Sequence, residues 1–315
     1  YSFSEQALGL VSAIEDWSLL RWIMANHIQD VASNIHDLKT GQKEYYAHFF
    51  ANKTNRNPSG KSPLGYESDT KGISFGFDKR IDDKTVWGIY AGYTEKDIDF
   101  TDVVPASSDW EEQDSWHIGA YMSKRFDKWI ISDSLTYRTT DHDSFRRQKD
   151  GDARASFDSW AVTNDIRAGY VVKEIGKDSH WEVVPEIGLN VGYFNRDGYR
   201  ETNGYTYGDY DTTVTEGVIG IRFRGEFVSK DGTRFSPYLR LSYVNVLSGD
   251  DVTIDETRYG KTRWFTEELD DDYFVADLGM TLYSAGNFDM SLSYNGRFGD
   301  NTDSHGGWLR LEWKQ

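Results

Sequence analysis

The chain contains no cysteine, so neither a disulfide framework nor a thiolate metal site is available to it. No run of about 18 uncharged apolar residues exists, which excludes a membrane-spanning helix. Cations are scarce: 35 Lys and Arg stand against 52 Asp and Glu, a formal net charge of −17. That balance argues against nucleic acid, whose phosphates require clustered basic residues. A secretory leader is missing as well. Tyr1 runs directly into SFSEQALGL, with no basic start and no cleavage site, as expected of a cytosolic protein or of a piece of something longer. Aromatic residues, by contrast, are abundant at 15%, including 11 Trp and 20 Tyr, and that surplus needs a location. Acidic residues concentrate at 250–256 and 267–272, as in solvated loops or in loops bridged by divalent ions. With 315 residues the chain could form one large domain or two ordinary ones, and an all-β barrel of this size is commonly one unit.

Two regimes divide the chain near residue 40. Residues 2–38 keep the three- and four-residue spacing of a helix, through Leu8, Val11, Ile14, Trp17, Leu20 and Ile23 to Ile28, Val31, Ile35 and Leu38. Ser2 with Glu5 fits a capping box, and Thr40–Gly41 supply a stop. Such a helix would reach roughly 55 Å at 1.5 Å per residue. Glu15, Asp16, Arg21, His27 and Asp30 interrupt its apolar run, so it needs a partner with a mixed lining. Residues 1–39 are therefore expected as a linker helix and 40–315 as a separate β unit.

From Lys43 onward the period is two. Ile73–Phe75–Phe77, Trp87–Ile89–Ala91–Tyr93 and Trp116–Ile118–Ala120–Met122 alternate with small or polar residues, and about twelve such strands follow one another. Short connectors (82–84, 127–128, 175–179, 230–232, 285–287) alternate with mostly long polar ones (52–66, 98–112, 140–157, 195–212, 248–271). An up-and-down sheet would carry the tight turns at one end and the large loops at the other. That asymmetry predicts a transmembrane β-barrel of about 12 antiparallel strands. A water-soluble sandwich also alternates. Here, however, the polar side is rich in Gly, Ser, Tyr and Arg, and many apolar sides end in Trp, Tyr or Phe, as interfacial girdles do. Asp133 is an exception on the lipid side, between Ile131 and Leu135.

The inward side carries charges of both signs: Asp165, Arg167, Glu186, Arg222, Arg224, Glu226, Arg240, Asp277, Arg297, Arg310 and Glu312. In a partly dehydrated lumen these must pair, either with one another or with the helix through Glu15, Asp16, Arg21 and Asp30. A barrel of this strand number has room for roughly one helix. The helix is thus expected inside the barrel.

The stretches "NIHDLKTG" with "EYYAHFF", "GISFGFDKRIDDKTVWGIYAGYTEKDIDF", "SPYLRLSYVNVLSGDD" and "RFGDNTDSHGGWLRLEWKQ" together resemble the translocator (β-domain) of an autotransporter, a type V secretion protein of Gram-negative outer membranes. The likeness covers nearly the whole chain. It implies a twelve-strand barrel with the helix threaded through its pore, large loops outside, and short turns and C-terminus in the periplasm. The implied function is secretion of an N-terminal passenger and its anchoring at the cell surface. The implied partners are that passenger, the barrel-assembly machinery, periplasmic chaperones, and outer-membrane lipid and lipopolysaccharide, with the chain a monomer and no cofactor, metal or nucleic acid involved. Some family members cut their helix between adjacent Asn residues. The corresponding pair here is Gln29–Asp30, so cleavage by that route is not expected, and Asn26 and Asn34 are isolated. The family's last strand guides assembly and ends on an aromatic residue in phase with Leu309, Leu311 and Trp313. That position is Gln315 here.

Two other functions fit parts of the sequence. Asp141–His142–Asp143 could place a general base at the outer rim of an outer-membrane enzyme. A plugged porin or adhesin with binding loops would use the same barrel, although a general porin has no need of the helix.

Overall fold

The computed structural model describes residues 5–32, 39–59, 62–101, 109–147, 151–175, 179–230 and 233–315. One helix, α1 (Glu5–Ala32), precedes the strands. The expected continuation to residue 38, Asn34 included, lies outside the described residues. Gly41, at a φ of 83°, turns the chain into the first strand.

Twelve long strands follow: β1 (Lys43–Arg56), β2 (Gly65–Arg80), β3 (Thr85–Thr101), β4 (Trp110–Phe126), β5 (Trp129–Arg146) and β6 (Ala153–Tyr170). The second half comprises β7 (Ser179–Arg196), β8 (Tyr210–Val228), β9 (Tyr238–Ser248), β10 (Asp272–Ala285), β11 (Phe288–Gly299) and β12 (Thr302–Lys314). Each pairs antiparallel with its neighbours in chain order, and two short turn segments, Lys173–Ile175 and Arg234–Phe235, join the same sheet. β12 closes the ring on β1 in unbroken register, from Glu44 opposite Lys314 to Arg56 opposite Thr302. Closure leaves no open edge, which hydrocarbon would not tolerate.

The outward residues form an apolar belt. Trp116, Ile118, Leu135, Ile187, Ile219 and Trp313 are all well exposed, which suits lipid and not water. Two aromatic ladders border the belt. Tyr93–Trp116, Tyr137–Trp160–Tyr193 and Tyr243–Phe274 stand at one level, with centroids 4.9–6.4 Å apart. Phe77–Trp87, Trp129–Tyr170 and Trp181–Phe227 stand at the other, 4.9–5.4 Å apart. Here the aromatic surplus finds its place. Asp133 does face outward, and Asn164 Nδ2 donates to its Oδ1 at 2.6 Å, so the belt's misplaced charge has a polar partner.

The strands run further than the expected loops allowed. β4 to β8 hold 17–19 residues each, against about 9–11 needed to cross a bilayer. Segments assigned to loops, such as 98–101, 140–146 and 153–157, are strand, because their inward residues Phe100, Arg146 and Phe157 still bury side chains in the lumen. The acidic segments 250–256 and 267–272 are likewise partly strand and only partly solvated. Asp251–Arg258 and Lys261–Glu268 form a hairpin that joins 206–207 and 199–200 in a small four-stranded sheet. Asp270 is buried and accepts the backbone N–H groups of Asn301 and Thr302. Glu256 and Glu267 are buried as well, while Asp251 and Asp271 stay exposed. No group of three or more His, Asp or Glu among the described residues is placed to hold a metal ion.

Candidate functional site

The lumen is filled by α1, of which nearly every described residue is buried. Its upper part is held by apolar contact. Leu10, Val11, Ile14 and Trp17 pack with Phe194, Tyr210 and Val214 of the wall and with Val252, Ile254 and Leu269 of the loop hairpin. Gly9 leaves room there for the Glu111 carboxylate, which a Cβ would push aside. Above this, Arg146 ties Glu5, at 3.2 Å, to Glu201 and Tyr207 of the loops. Gln6 also donates to Glu201, at 2.9 Å.

Further down the contacts become ionic, and they arrive in tiers. Glu15 meets Arg56 at 3.4 Å and Arg297 at 3.2 Å, and accepts the Tyr66 hydroxyl at 2.5 Å. Asp16 lies 3.6 Å from Lys96 and 3.7 Å from Arg138. Arg21 pairs with Glu216, donates to the Tyr273 hydroxyl at 2.9 Å, and lies 3.9 Å from Asp165. The Arg167 guanidinium covers the Trp22 ring at 4.3 Å. Near the lower end, His27 bonds Asp78 at 2.8 Å, lies 3.7 Å from Glu312, and packs its ring on Tyr46. Gln29 donates to Glu186 at 2.6 Å and accepts from Arg240. Asp30 receives three guanidinium groups: Arg222, Arg224 at 3.1 Å and Arg310 at 2.7 Å.

All the lumen residues named from sequence face inward, and the structure brings most of them to the helix. Two act mainly on the wall. Asp277 accepts from Asn295 beside Asn26, and Glu226 lies 3.9 Å from Arg234. Sequence reasoning missed Arg56, Lys96, Arg138, Arg146 and Glu216. Their inward parity was available as a signal, but for Arg56 and Arg146 the strands were ended too early. The Asp141–His142–Asp143 run is not a rim site. His142 is buried in the lumen, with Nδ1 2.8 Å from Glu111 and Nε2 2.7 Å from Ser159, while Asp143 accepts from Ser156. Strand alternation sends the imidazole and the neighbouring carboxylates to opposite faces, so neither Asp can orient the ring.

The autotransporter β-domain family pattern matches residues 46–295, four fifths of the chain. The chain belongs to the autotransporter β-domain family. Its structure is similar to the translocator domain of NalP from Neisseria meningitidis, with a TM-score of 0.72 at 13% identity over 98% of this chain and 99% of that one. The transport unit of AIDA-I from Escherichia coli matches with a TM-score of 0.63 at 11% identity, covering 89% and 92%. The β-domain of the Bordetella autotransporter BrkA matches with 0.61 at 16% identity, covering 86% and 98%. No curated protein matches the sequence significantly. This autotransporter β-domain is an outer-membrane translocator of a Gram-negative bacterium, with its helix inside the barrel and a passenger domain of its own as cargo. Translocator domains are not enzymes.

Proposed function

We propose that α1 remains in the pore after secretion as an uncut plug, so that the passenger stays anchored to the barrel. The observation that carries this reading is the lower clamp, in which one helix carboxylate, Asp30, meets three wall guanidinium groups. Breaking a buried pair of this kind costs about 3–5 kcal/mol, because the remaining charges are left uncompensated. Gln29 and Asp30, which occupy the place of the family's Asn pair, are themselves part of the clamp. The linker helix (1–39) and the barrel (40–315) then act as tether and anchor. Within the same proposal, Leu309, Leu311 and Trp313 present the assembly face to the barrel-assembly machinery, and Gln315→Phe improves insertion.

A reporter fused ahead of Tyr1 tests the reading in whole cells. The reporter is expected at the surface, still covalent with the barrel when the membrane is extracted. Appearance of free reporter in the medium, with a barrel shortened within α1, would overturn it.

A further inference from the structure

The upper lumen holds a polar constellation that the ionic tiers of the plug do not use. His142 on β5 lies between Glu111 on β4 and Ser159 on β6, three inward residues of adjacent strands. Its Nδ1 is 2.8 Å from Glu111 Oε1, and its Nε2 is 2.7 Å from Ser159 Oγ. A carboxylate oxygen only accepts, so Nδ1 carries the proton and Nε2 accepts from the Ser159 hydroxyl. Carboxylate, imidazole and hydroxyl thus stand in the order that activates a serine for acyl transfer.

Each member is held in place. Gln113 donates to the same Glu111 oxygen at 2.8 Å and to the Gly9 carbonyl at 3.2 Å, so the seated helix closes over the carboxylate. Phe157 stacks on the His142 ring, with centroids 4.6 Å apart and planes 12° from parallel. Glu111 and His142 are buried, whereas Ser159 is only half-buried, so the hydroxyl is the accessible end of the chain. Directly opposite Ser159 in register stands Arg196 of β7. It is 1% exposed and donates through Nη2 to the Gly208 carbonyl at 2.7 Å. Its Nε and Nη1 have no partner among the described residues. Two idle donors of a buried cation beside a nucleophile are what a developing oxyanion requires.

We propose that Ser159, His142 and Glu111 hydrolyse small carboxylic esters, with Arg196 as the oxyanion donor, an activity separate from translocation. Ser159 Oγ attacks the ester carbonyl carbon while its proton passes to His142 Nε2, and the carbonyl electron pair moves onto the oxygen facing Arg196. Collapse breaks the bond to the leaving alkoxide, which takes the proton from Nε2 and departs as an alcohol, leaving acyl-Ser159. Water then adds to the acyl carbon and gives its proton to Nε2. The second collapse releases the carboxylic acid, and the proton returns to Ser159 Oγ. Glu111 touches no substrate and serves as a positioning residue for the imidazole. Phe157 and Ala161, the inward neighbours of Ser159 on β6, belong to the apolar cluster packed on α1, so the acyl group accommodated there is short. The inference goes beyond the plug reading and uses only the seated helix.

The test uses the folded full chain in mild detergent, with a fluorophosphonate probe and p-nitrophenyl acetate. Wild type should take up one phosphonate per barrel, and peptide mass spectrometry should place it on Ser159. His142→Gln should slow both labelling and hydrolysis about 10²–10⁴-fold, the usual worth of a general base. Arg196→Gln should slow hydrolysis about 10²–10³-fold, and Glu111→Gln should lower kcat while leaving KM unchanged. Each variant is first shown to keep the heat-modifiable gel mobility of a folded barrel. The adduct's position in wild type decides the matter without any variant, should one fail to fold. Absence of an adduct on Ser159, or labelling at the wild-type rate in folded His142→Gln, would overturn the proposal.

Discussion

The two ends of α1 are held in different ways. Its upper part, from Ala7 to Trp17, sits in a large apolar cluster shared with the loop sheet and bordered below by the Glu15 and Asp16 pairs. Its lower part, from Arg21 to Asp30, is held by paired charges on the strands, with smaller apolar clusters around Trp22 and Met24. Apolar packing is non-directional and tolerates small shifts along the axis. Guanidinium–carboxylate pairs are directional and fix one seating. The lower tiers therefore set the register of the plug, and the upper cluster supplies area. The partners also differ in origin. Wall charges exist as soon as the barrel closes, while the upper cluster requires the 251–268 hairpin to fold over the pore.

Asp30→Ala attacks the side of this comparison with the most to lose. It leaves three buried guanidinium groups without their shared anion and should destabilise helix seating by about 3–5 kcal/mol. Planar-bilayer conductance should rise sharply, and unchanged conductance would show that the clamp does not hold the plug. Leu10→Ala breaks the apolar side at an expected cost of about 2–3 kcal/mol, the low end for a buried leucine because loops relax around the gap. It should loosen the hairpin to protease before it opens the pore; if the pore opens first, the division of labour proposed here is reversed. Arg224→Ala, or Arg222→Ala alone, removes one of three partners of Asp30 and should cost roughly 1–2 kcal/mol. Protease sensitivity of α1 should rise modestly in either variant, and a change as large as that of Asp30→Ala would contradict sharing.

The smallest expected effect concerns pH at the cap. Burial pushes the Glu201 carboxyl above its ordinary value, and Arg146 offsets this only in part. The folded cap therefore binds a proton more readily than the opened one, so its stability grows as pH falls toward the ordinary carboxylate value. That gain is lost as pH rises through the elevated value. Limited proteolysis of the hairpin should be slower at pH 5 than at pH 8, and Glu201→Gln should reduce the difference without abolishing it, because burial also raises Glu5, Glu267 and Asp270.

Much of this was legible in the primary structure because membrane barrels obey a strict parity. Arg310 and Glu312 could be assigned inward, and Leu309, Leu311 and Trp313 outward, from alternation alone, and the register of β12 with β1 agrees. The same parity would have found Arg56 and Arg146, had polarity not been taken as the end of the strand. Polarity misled there because strands above the bilayer have water outside, so the outward residues turn polar while the inward ones remain buried. His142 illustrates the same point, since an Asp-His-Asp run reads as loop until the strand is seen to continue through it.

By itself, then, the sequence determined the two regimes, the strand order, the direction each side chain faces and the need for a helix within the barrel. Those follow from period and connector length, which are local properties. Only the tertiary structure decided which charge meets which: that Asp30 gathers Arg222, Arg224 and Arg310, that Glu15 belongs to Arg56 and Arg297, and that the loop hairpin covers the helix. Parity says that a residue points into the lumen, but its height on the tilted wall and its angle to the helix depend on how the barrel closes. Pairing depends on those distances, and no local pattern contains them.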